Sequence, residues 1–197
     1  MTHNILHIDA SARSGASISR KLSAQVLGRV TTANPDNSVV SRDLTQGFPF
    51  VSEDWIGASY TPAADRTEAQ KELLGLSNAL VAEIKAADTI VLGTPIYNFA
   101  APAALKSWID MIARVGETFQ YGANGPEGLL KNKRVIVALA SGGTQIGSPL
   151  DHITPYLTFI FGFMGITDVQ YIGAMGLNMG ADAAIAKADA DIAALAA

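Results

Sequence analysis

The sequence predicts an α/β protein built on a doubly wound parallel sheet of five strands, with helices on both faces. Short apolar runs rich in β-branched residues alternate with longer helix-like stretches along the chain. That alternation is typical of parallel strands covered on both faces. The 197 residues show no repeat, low-complexity tract or linker-like boundary, so we expect one domain, 1–197, with a full hydrophobic core.

The strands are predicted from the apolar runs at 4–9, 37–43, 88–94, 133–140 and 167–174. Five strands alternating with five helices suggest the flavodoxin-like order 2-1-3-4-5. In that order a ligand crevice lies beyond the carboxyl ends of strands 1 and 3. The fold therefore predicts where a site lies but not what the site does.

The helices are predicted from their end signals and from the spacing of their apolar residues. A first amphipathic stretch covers 22–30, and Thr67 with Gln70 forms a capping box that opens a helix to about Ala86. Pro102 suits the first turn of a third helix, whose apolar face carries Leu105, Trp108, Ile109 and Ile112. An apolar stretch at 150–165 and an Ala-rich one at 180–196 predict the last two helices.

The loop that follows the first strand, 11–20, is rich in hydroxyl groups and directly precedes the first helix. Such a junction directs backbone N–H groups and the positive end of a helix dipole at one point, so it suits a phosphate. The loop contains neither Gly-x-x-x-x-Gly-Lys-Ser/Thr nor Gly-x-Gly-x-x-Gly. It is thus typical of a site that holds a phosphate rather than one that transfers it. The alternative is that Ser17 or Ser19 serves only as the N-cap of the helix.

Two further loops meet the first one if the predicted order holds. The loop after strand 3 reads Pro95-Ile96-Tyr97-Asn98-Phe99, which suits packing against a flat ring, and the loop after strand 4 reads Ser141-Gly142-Gly143-Thr144. The paired glycines let backbone N–H groups approach a carbonyl or an anion. Each loop has a plainer interpretation, since the two aromatics also suit loop packing and the glycines an ordinary turn. Together the three loops match the shape of FMN.

Composition excludes several classes of function. A net charge of −4 without a Lys/Arg cluster longer than Lys133-Arg134 argues against a nucleic-acid surface. The chain enters a strand within a few residues, and its longest apolar stretch, 156–166, is too short to span a bilayer, so we expect a cytoplasmic protein without a membrane segment. Cysteine is absent and the three histidines are isolated, so no metal site is predicted.

Aromatic side chains in two long connections are candidates for the walls of a substrate slot. Trp55 and Tyr60 lie in the connection 44–66, and Phe119 and Tyr121 lie in 114–131. Either connection could cover a ligand of the same or of a partner subunit, and the alternative for each aromatic is that it only anchors its loop. The helix at 150–165 is apolar nearly all round, which favours burial both by its own sheet and by a second subunit.

The motifs resemble those of the FMN-dependent NADH:quinone oxidoreductase and azoreductase family over essentially the whole chain. The matching segments are Ser11-x-Arg13-x-x-x-Ser17-x-Ser19, Pro95-Ile96-Tyr97-Asn98-Phe99, Lys106-Ser107-Trp108-Ile109-Asp110, Asn124-Gly125-Pro126-Glu127-Gly128-Leu129, Thr154-Pro155-Tyr156-Leu157 and Gly162-Phe163-Met164-Gly165-Ile166. One position departs from some members, which have an arginine where this chain has Ser141 before the paired glycines.

The resemblance implies an FMN enzyme that takes electrons from NADH or NADPH and reduces quinones and azo compounds by two-electron, ping-pong hydride transfer. It assigns Ser11 and the segment 17–19, Ser17, Ile18 and Ser19, to the FMN phosphate, with Arg13 in the same motif. It assigns residues 96–99 to the isoalloxazine and ribityl chain, with Pro95 in the same cofactor-binding loop, and the loop 141–144 to the pyrimidine edge. It also implies a homodimer with two flavin sites at the interface.

No catalytic acid or base is nominated, because in such an enzyme the cofactor supplies the chemistry and the protein supplies position and electrostatics. Two other classes of function stay open from the sequence. One is a flavodoxin-like one-electron carrier, although such carriers usually present a dense acidic face and only 18 residues here are Asp or Glu, without an acidic run. The other is a sensor that binds a phosphorylated metabolite.

Overall fold

A computed structural model describes residues 2–33 and 36–196 and shows a parallel sheet of five strands. The described residues form seven strands, of which two make a separate hairpin. Their bounds are β1 His3–Asp9, β2 Asn37–Asp43, β3 Thr89–Pro95, β4 Phe119–Gly122, β5 Gly125–Gly128, β6 Arg134–Ser141 and β7 Asp168–Met175. The sheet order is β2-β1-β3-β6-β7, and β4 pairs with β5 in an antiparallel hairpin outside the sheet.

Burial follows from each strand's place in the sheet. All seven residues of β3 and seven of the eight in β6 are buried, as expected for central strands covered on both faces. The edge strand β2 is largely exposed. Pairing is parallel throughout, with Ile5 of β1 opposite Val39 of β2 and Thr89 of β3. The carboxyl ends of β1, β3 and β6 therefore share one edge of the sheet.

Helices cover both faces of the sheet. They are α1 Ile18–Ala33, α2 Glu53–Tyr60, α3 Glu68–Leu73, α4 Gly75–Ala86, α5 Ala103–Ile112, α6 Thr154–Met164 and α7 Leu177–Ala193. One core cluster packs α1 and α7 against the sheet, and a larger cluster packs α2, α4, α5 and α6 against the other face. None of the helices among residues 2–33 and 36–196 combines the length and apolar character needed to cross a bilayer.

The capping box has the predicted geometry, but the helix behind it is divided. The Thr67 side chain accepts a hydrogen bond from the Gln70 backbone N–H, and the Gln70 side chain accepts one from the Thr67 N–H. The prediction of one helix to Ala86 was wrong, because α3 ends before Leu74 and α4 begins at Gly75. Glycine has a low helix propensity, and the buried Leu74 fixes the junction to the core.

Other elements also differ from the prediction. The helix expected from residue 150 begins at Thr154, because Asp151 accepts hydrogen bonds from the Ile153 and Thr154 N–H groups and so caps it. The last helix begins at Leu177 rather than at 180, and its backbone is non-helical at Gly180. Helix α2 and the hairpin β4–β5 lie in the two connections that were predicted only as long loops.

Candidate functional site

A cavity of about 410 Å³ lies at the shared carboxyl edge of β1, β3 and β6. Ten of the predicted cofactor residues line it, together with six residues that the sequence did not single out. The predicted ones are Ser11, Arg13, Ser17, Ile18, Ser19, Pro95, Ile96, Tyr97, Ser141 and Gly142; the others are Ala16, Ala140, Leu177, Asn178, Ala181 and Ile185. The volume falls within the range of about 300–1,000 Å³ that is typical of small-molecule sites.

One end of the cavity is formed by the loop between β1 and α1. Ser11 and Ser19 are almost completely buried, at 2% and 1% exposure. Ser17 Oγ accepts a hydrogen bond from the Arg20 N–H at 3.3 Å, so Ser17 does cap α1. Its hydroxyl also lies 3.2 Å from Ser19 Oγ at the cavity. The helix cap and a hydroxyl-lined cavity thus occupy the same loop, at a helix N-terminus whose first N–H groups lack intrahelical acceptors.

Arg20, which was not predicted from the sequence, holds this loop in place through hydrogen bonds. Its Nη2 donates to the Ser11 carbonyl at 2.8 Å and to Asp43 Oδ1 at 2.8 Å, and Nε also donates to the Ser11 carbonyl. The hydrogen bond from Arg20 lowers the pKa of the Asp43 carboxyl well below its usual range. The sequence signal that could have indicated this role is the position of Arg20 in the first turn of the helix that follows the hydroxyl-rich loop.

The middle of the cavity is formed by the loop after β3. The Ile96 N–H donates to the Ala140 carbonyl at 2.9 Å, which ties this loop to β6. Tyr97 and Ala100 exchange two backbone hydrogen bonds around Asn98 and Phe99, whose φ angles are 48° and 69°. Positive φ at both central residues is the geometry of a type I′ turn. The turn leaves Tyr97 at the cavity and places Asn98 and Phe99 outside its lining.

The other end of the cavity is formed by the loop after β6, where Ser141 and Gly142 line the space and Gly143 and Thr144 do not. Ser141 Oγ accepts a hydrogen bond from the Thr144 N–H at 2.9 Å. A Cβ on Gly142 would lie 2.6 Å from Asn178 Nδ2, so the Asn178 side chain packs directly on Gly142.

Most of the cavity lining that was not predicted from the sequence comes from the start of α7. The Asn178 N–H donates to the Gly142 carbonyl at 2.9 Å, and Leu177, Ala181 and Ile185 supply apolar wall. Gly176, which has a φ of 79°, turns the chain from β7 into this helix. Gly176, directly after β7, is the sequence signal that could have indicated an earlier start for α7.

The four aromatic residues predicted as substrate walls do not line this cavity. Trp55, Tyr60 and Phe119 line a separate cavity of about 200 Å³. Trp55 and Phe119 are buried, whereas Tyr60 and Tyr121 are exposed, and Tyr121 packs edge-on against the Phe119 ring. In one chain Trp55 and Phe119 therefore anchor their connections, and together with Tyr60 they line a second hollow rather than a wall over the first.

A larger hollow of about 700 Å³ lies at the opposite edge of the sheet. Its charged groups already have partners. Lys133 Nζ donates to the Lys85 and Ala87 carbonyls, and Arg134 donates to Gln170 and to the Ala196 carbonyl. None of the three predicted loops reaches it, so it is a poorer candidate for the cofactor.

The fold and the loop-lined cavity define a flavodoxin-like α/β protein. A family model described as "Flavodoxin-like fold" matches residues 3–197. The chain is 53% identical over 197 residues to the FMN-dependent NADH:quinone oxidoreductase 1 of Jannaschia sp. (strain CCS1), with 100% of both chains covered. It is 49% identical over 193 residues to the FMN-dependent NADH:quinone oxidoreductase of Cereibacter sphaeroides (strain KD131 / KCTC 12085), covering 98% of each.

A similar solved structure is the azoreductase from Bacillus anthracis str. Sterne, with a TM-score of 0.88, 27% identity and 97% of each chain covered. The chain therefore belongs to the flavodoxin-like family that includes the FMN-dependent NADH:quinone oxidoreductases. The family resemblance noted in the sequence is confirmed.

Proposed function

We propose that the protein is an FMN-dependent oxidoreductase that transfers electrons from NADH or NADPH to quinones and azo compounds. The observation that carries the proposal is the single cavity lined by the loops after β1, β3 and β6. Those are the loops whose composition predicts a phosphate end, a ring platform and a donor end. The whole-chain relatives named above as NADH:quinone oxidoreductases support the same conclusion.

The donor set of the cavity fits FMN. Ser11, Ser17 and Ser19 bring hydroxyl groups to the N-terminus of α1, and Arg13 adds a cation at the same end. Asn98 and Phe99 continue the Ile96–Tyr97 loop and would contact the ring or the ribityl chain. Gly143 and Thr144 continue the Ser141–Gly142 loop and would hold the pyrimidine edge.

Bound FMN would supply the redox chemistry, accepting a hydride from the nicotinamide and passing it to the acceptor. The chain's own residues bind and orient the cofactor. The backbone N–H groups of Gly142 and Gly143 would favour negative charge at the pyrimidine edge. We nominate no side chain as a catalytic acid or base.

We further propose that the protein is a homodimer. Helix α6 buries Leu157, Phe161 and Met164 in its own core but leaves Phe159 68% exposed. The Phe159 ring stacks on Phe163, and the Phe163 ring lies 4.5 Å from that of Phe119 in the hairpin.

These ring contacts place Phe119 and Tyr121 of the hairpin beside the exposed face of α6, which supports the interpretation in which the connection 114–131 walls the acceptor slot of a partner subunit. The proposal includes a cytoplasmic location and the absence of nucleic-acid and membrane partners, in keeping with the chain's net charge of −4.

Steady-state kinetics test the proposed function. If donor and acceptor use one site in turn, NAD⁺ leaves before the quinone binds, and double-reciprocal plots against NADH at several fixed quinone concentrations are parallel. The purified protein should be yellow and should release FMN rather than FAD. Intersecting lines would reject the shared site. A protein that binds FMN but has negligible NADH turnover would instead be an electron carrier.

A further inference from the structure

Asn178, in the first turn of α7, lines the candidate cofactor cavity with a carboxamide that nothing else in the fold uses. The residue is exposed, and within the described part of the chain its side chain has no hydrogen-bond partner. The N-cap position of α7 belongs to Gly176, and no side chain caps this helix. The carboxamide of Asn178 therefore keeps two N–H donors and one carbonyl acceptor unused.

The backbone that carries this side chain is held in place. The Asn178 N–H donates to the Gly142 carbonyl at 2.9 Å, and the N–H groups of Met179 and Gly180 donate to the Gly176 carbonyl at 2.8 and 3.2 Å. The φ of 79° at Gly176 is one that glycine adopts readily. The free carboxamide of Asn178 is thus presented from a defined position at the cavity.

The Asn178 side chain lies against the loop after β6. Its Nδ2 is 2.6 Å from the position of a Cβ on Gly142, and both residues line the cavity. The other polar side chain at this end, Ser141, is 5% exposed, and its Oγ accepts the hydrogen bond from the Thr144 N–H that closes the loop. Asn178 therefore offers a free side-chain donor beside the paired glycines.

The chemistry of this donor suits one part of a ligand. A carboxamide carries no net charge, so it matches a carbonyl or hydroxyl oxygen rather than a phosphate. The phosphate end of the cavity is built separately, from the hydroxyl groups and the cation at the N-terminus of α1. The carboxamide thus faces the part of the ligand that the loop 141–144 holds.

We propose that Asn178 is a further cofactor-binding residue, whose Nδ2 donates a hydrogen bond to a carbonyl oxygen on the pyrimidine edge of FMN. The inference rests on the proposed function, in which the loop 141–144 holds that edge. Reduction adds negative charge there, and a hydrogen bond to a charged acceptor is stronger than one to a neutral acceptor. Asn178 therefore raises both the affinity for FMN and the midpoint potential of the bound cofactor.

Asn178→Ala removes the carboxamide and tests the proposal. The Kd for oxidised FMN, measured by fluorescence titration, should rise about three- to tenfold, the effect of one neutral hydrogen bond. Binding of reduced FMN should weaken about fivefold more than that, because a hydrogen bond to a charged group is roughly twice as strong. That further fivefold loss lowers the midpoint potential of the two-electron couple by about 20 mV, which spectroelectrochemistry of the FMN-loaded protein measures.

Two other variants separate the hydrogen bond from the packing of the turn. Asn178→Asp keeps the shape but replaces the donor by a negatively charged acceptor, so the Kd should rise by at least about tenfold and the potential should fall below that of Asn178→Ala. Met179→Ala is the matched control, because Met179 belongs to the same turn, is 75% exposed and does not line the cavity. Its affinity and its potential should equal those of the wild type.

Unchanged affinity for FMN in Asn178→Ala would overturn the proposal. Weaker binding with an unchanged midpoint potential would also overturn it, because the carboxamide would then act away from the pyrimidine edge. An equal loss in Met179→Ala would show that the substitutions only loosen the first turn of α7. A wild-type protein that does not bind FMN would refute the proposed function itself, which is a different result from any of these.

Discussion

Ser17 and Ser19 place two hydroxyl groups 3.2 Å apart at the N-terminus of α1. Replacing both by alanine should weaken FMN binding by roughly 1–3 kcal/mol for each hydrogen bond to the phosphate that is lost. Loss of the Ser17 cap should also lower the free energy of unfolding by about 1 kcal/mol. Fluorescence titration with FMN measures the first effect, and urea unfolding of the FMN-free protein measures the second.

A matched control separates the cap from the phosphate. Ser52 caps α2 through a hydrogen bond from the Trp55 N–H, and it does not line the candidate cofactor cavity. Ser52→Ala should therefore lose a similar free energy of unfolding while its FMN affinity stays the same. If the double variant at 17 and 19 binds FMN as tightly as the wild type, the two hydroxyls serve only as structural groups.

His7, on β1, makes the free energy of unfolding depend on pH. Its Nε2 lies 3.1 Å from Ser23 Oγ and 3.7 Å from Asp9 Oδ2, and burial lowers the pKa of His7 despite the nearby Asp9. Below pH of about 6.5 the unfolded chain takes up a proton at this histidine that the folded chain does not. Stability is therefore complete above that pH and falls as the pH decreases toward the lowered pKa of the folded state.

We expect His7 to contribute a loss of at most about 1.4 kcal/mol per pH unit over that interval. His7→Gln should remove this contribution, so the variant's free energy of unfolding should depend less on pH between 7 and about 5.5 than that of the wild type. Urea unfolding at the two pH values gives the comparison. Equal slopes for both proteins would show that His7 does not cause the acid sensitivity.

At the scale of elements, Arg20 joins three parts of the structure: the loop after β1 through the Ser11 carbonyl, its own helix α1, and the end of β2 through Asp43. Arg20→Met should leave Asp43 unpaired and loosen the loop, so FMN should dissociate more readily. Arg20→Lys should restore part of the affinity, because lysine can still donate to one of the two acceptors.

The test compares the affinity for FMN with the turnover rate at saturating FMN. The Kd for FMN should rise about tenfold or more in Arg20→Met, whereas kcat at saturating FMN should change little. Arg42→Met is the matched control, since Arg42 lies beside Asp43 on β2 but pairs with Glu83 away from the loop. A similar rise in Kd for both variants would indicate a general loss of stability rather than a role for Arg20 in positioning the loop.

The sequence predicted the five sheet strands well because central parallel strands are apolar almost throughout, as in β3 and β6. Helix α2 and the hairpin could not be predicted in this way, because short elements depend on tertiary contacts. Trp55 anchors α2 in the core. Gly128 of the hairpin packs so closely on Gly165 that a Cβ on Gly128 would lie 2.1 Å from the Gly165 backbone nitrogen.

The candidate site, too, could be predicted only in part. Its loops could be predicted because each has a local composition, such as the hydroxyls of 11–20 and the paired Gly142 and Gly143. The contribution of α7 could not, because Asn178 reaches the cavity only through the packing of β7 beside β6. Arg20 was missed because its partners, Ser11 and Asp43, come from separate parts of the chain.

At the scale of the whole molecule, the chain covers both faces of its sheet yet leaves aromatic surface on the outside of α6. Phe161, on the inner side of this helix, is fully buried in the chain's own core, so a charge there would unfold the protein and would not report on assembly. Phe159 is the informative position, because its ring is 68% exposed in the single chain.

Phe159→Glu should convert the proposed homodimer into a folded monomer, because burial of an unpaired carboxylate at the interface costs several kcal/mol. The fold of the single chain should persist, since Phe159 contributes little to its core. Leu73→Glu on α3, at a position that is 43% exposed, is the matched control and should remain dimeric. Sedimentation at micromolar concentration decides between the states: a monomeric wild type, or a Phe159→Glu protein that stays dimeric, would show that the exposed face of α6 does not mediate assembly.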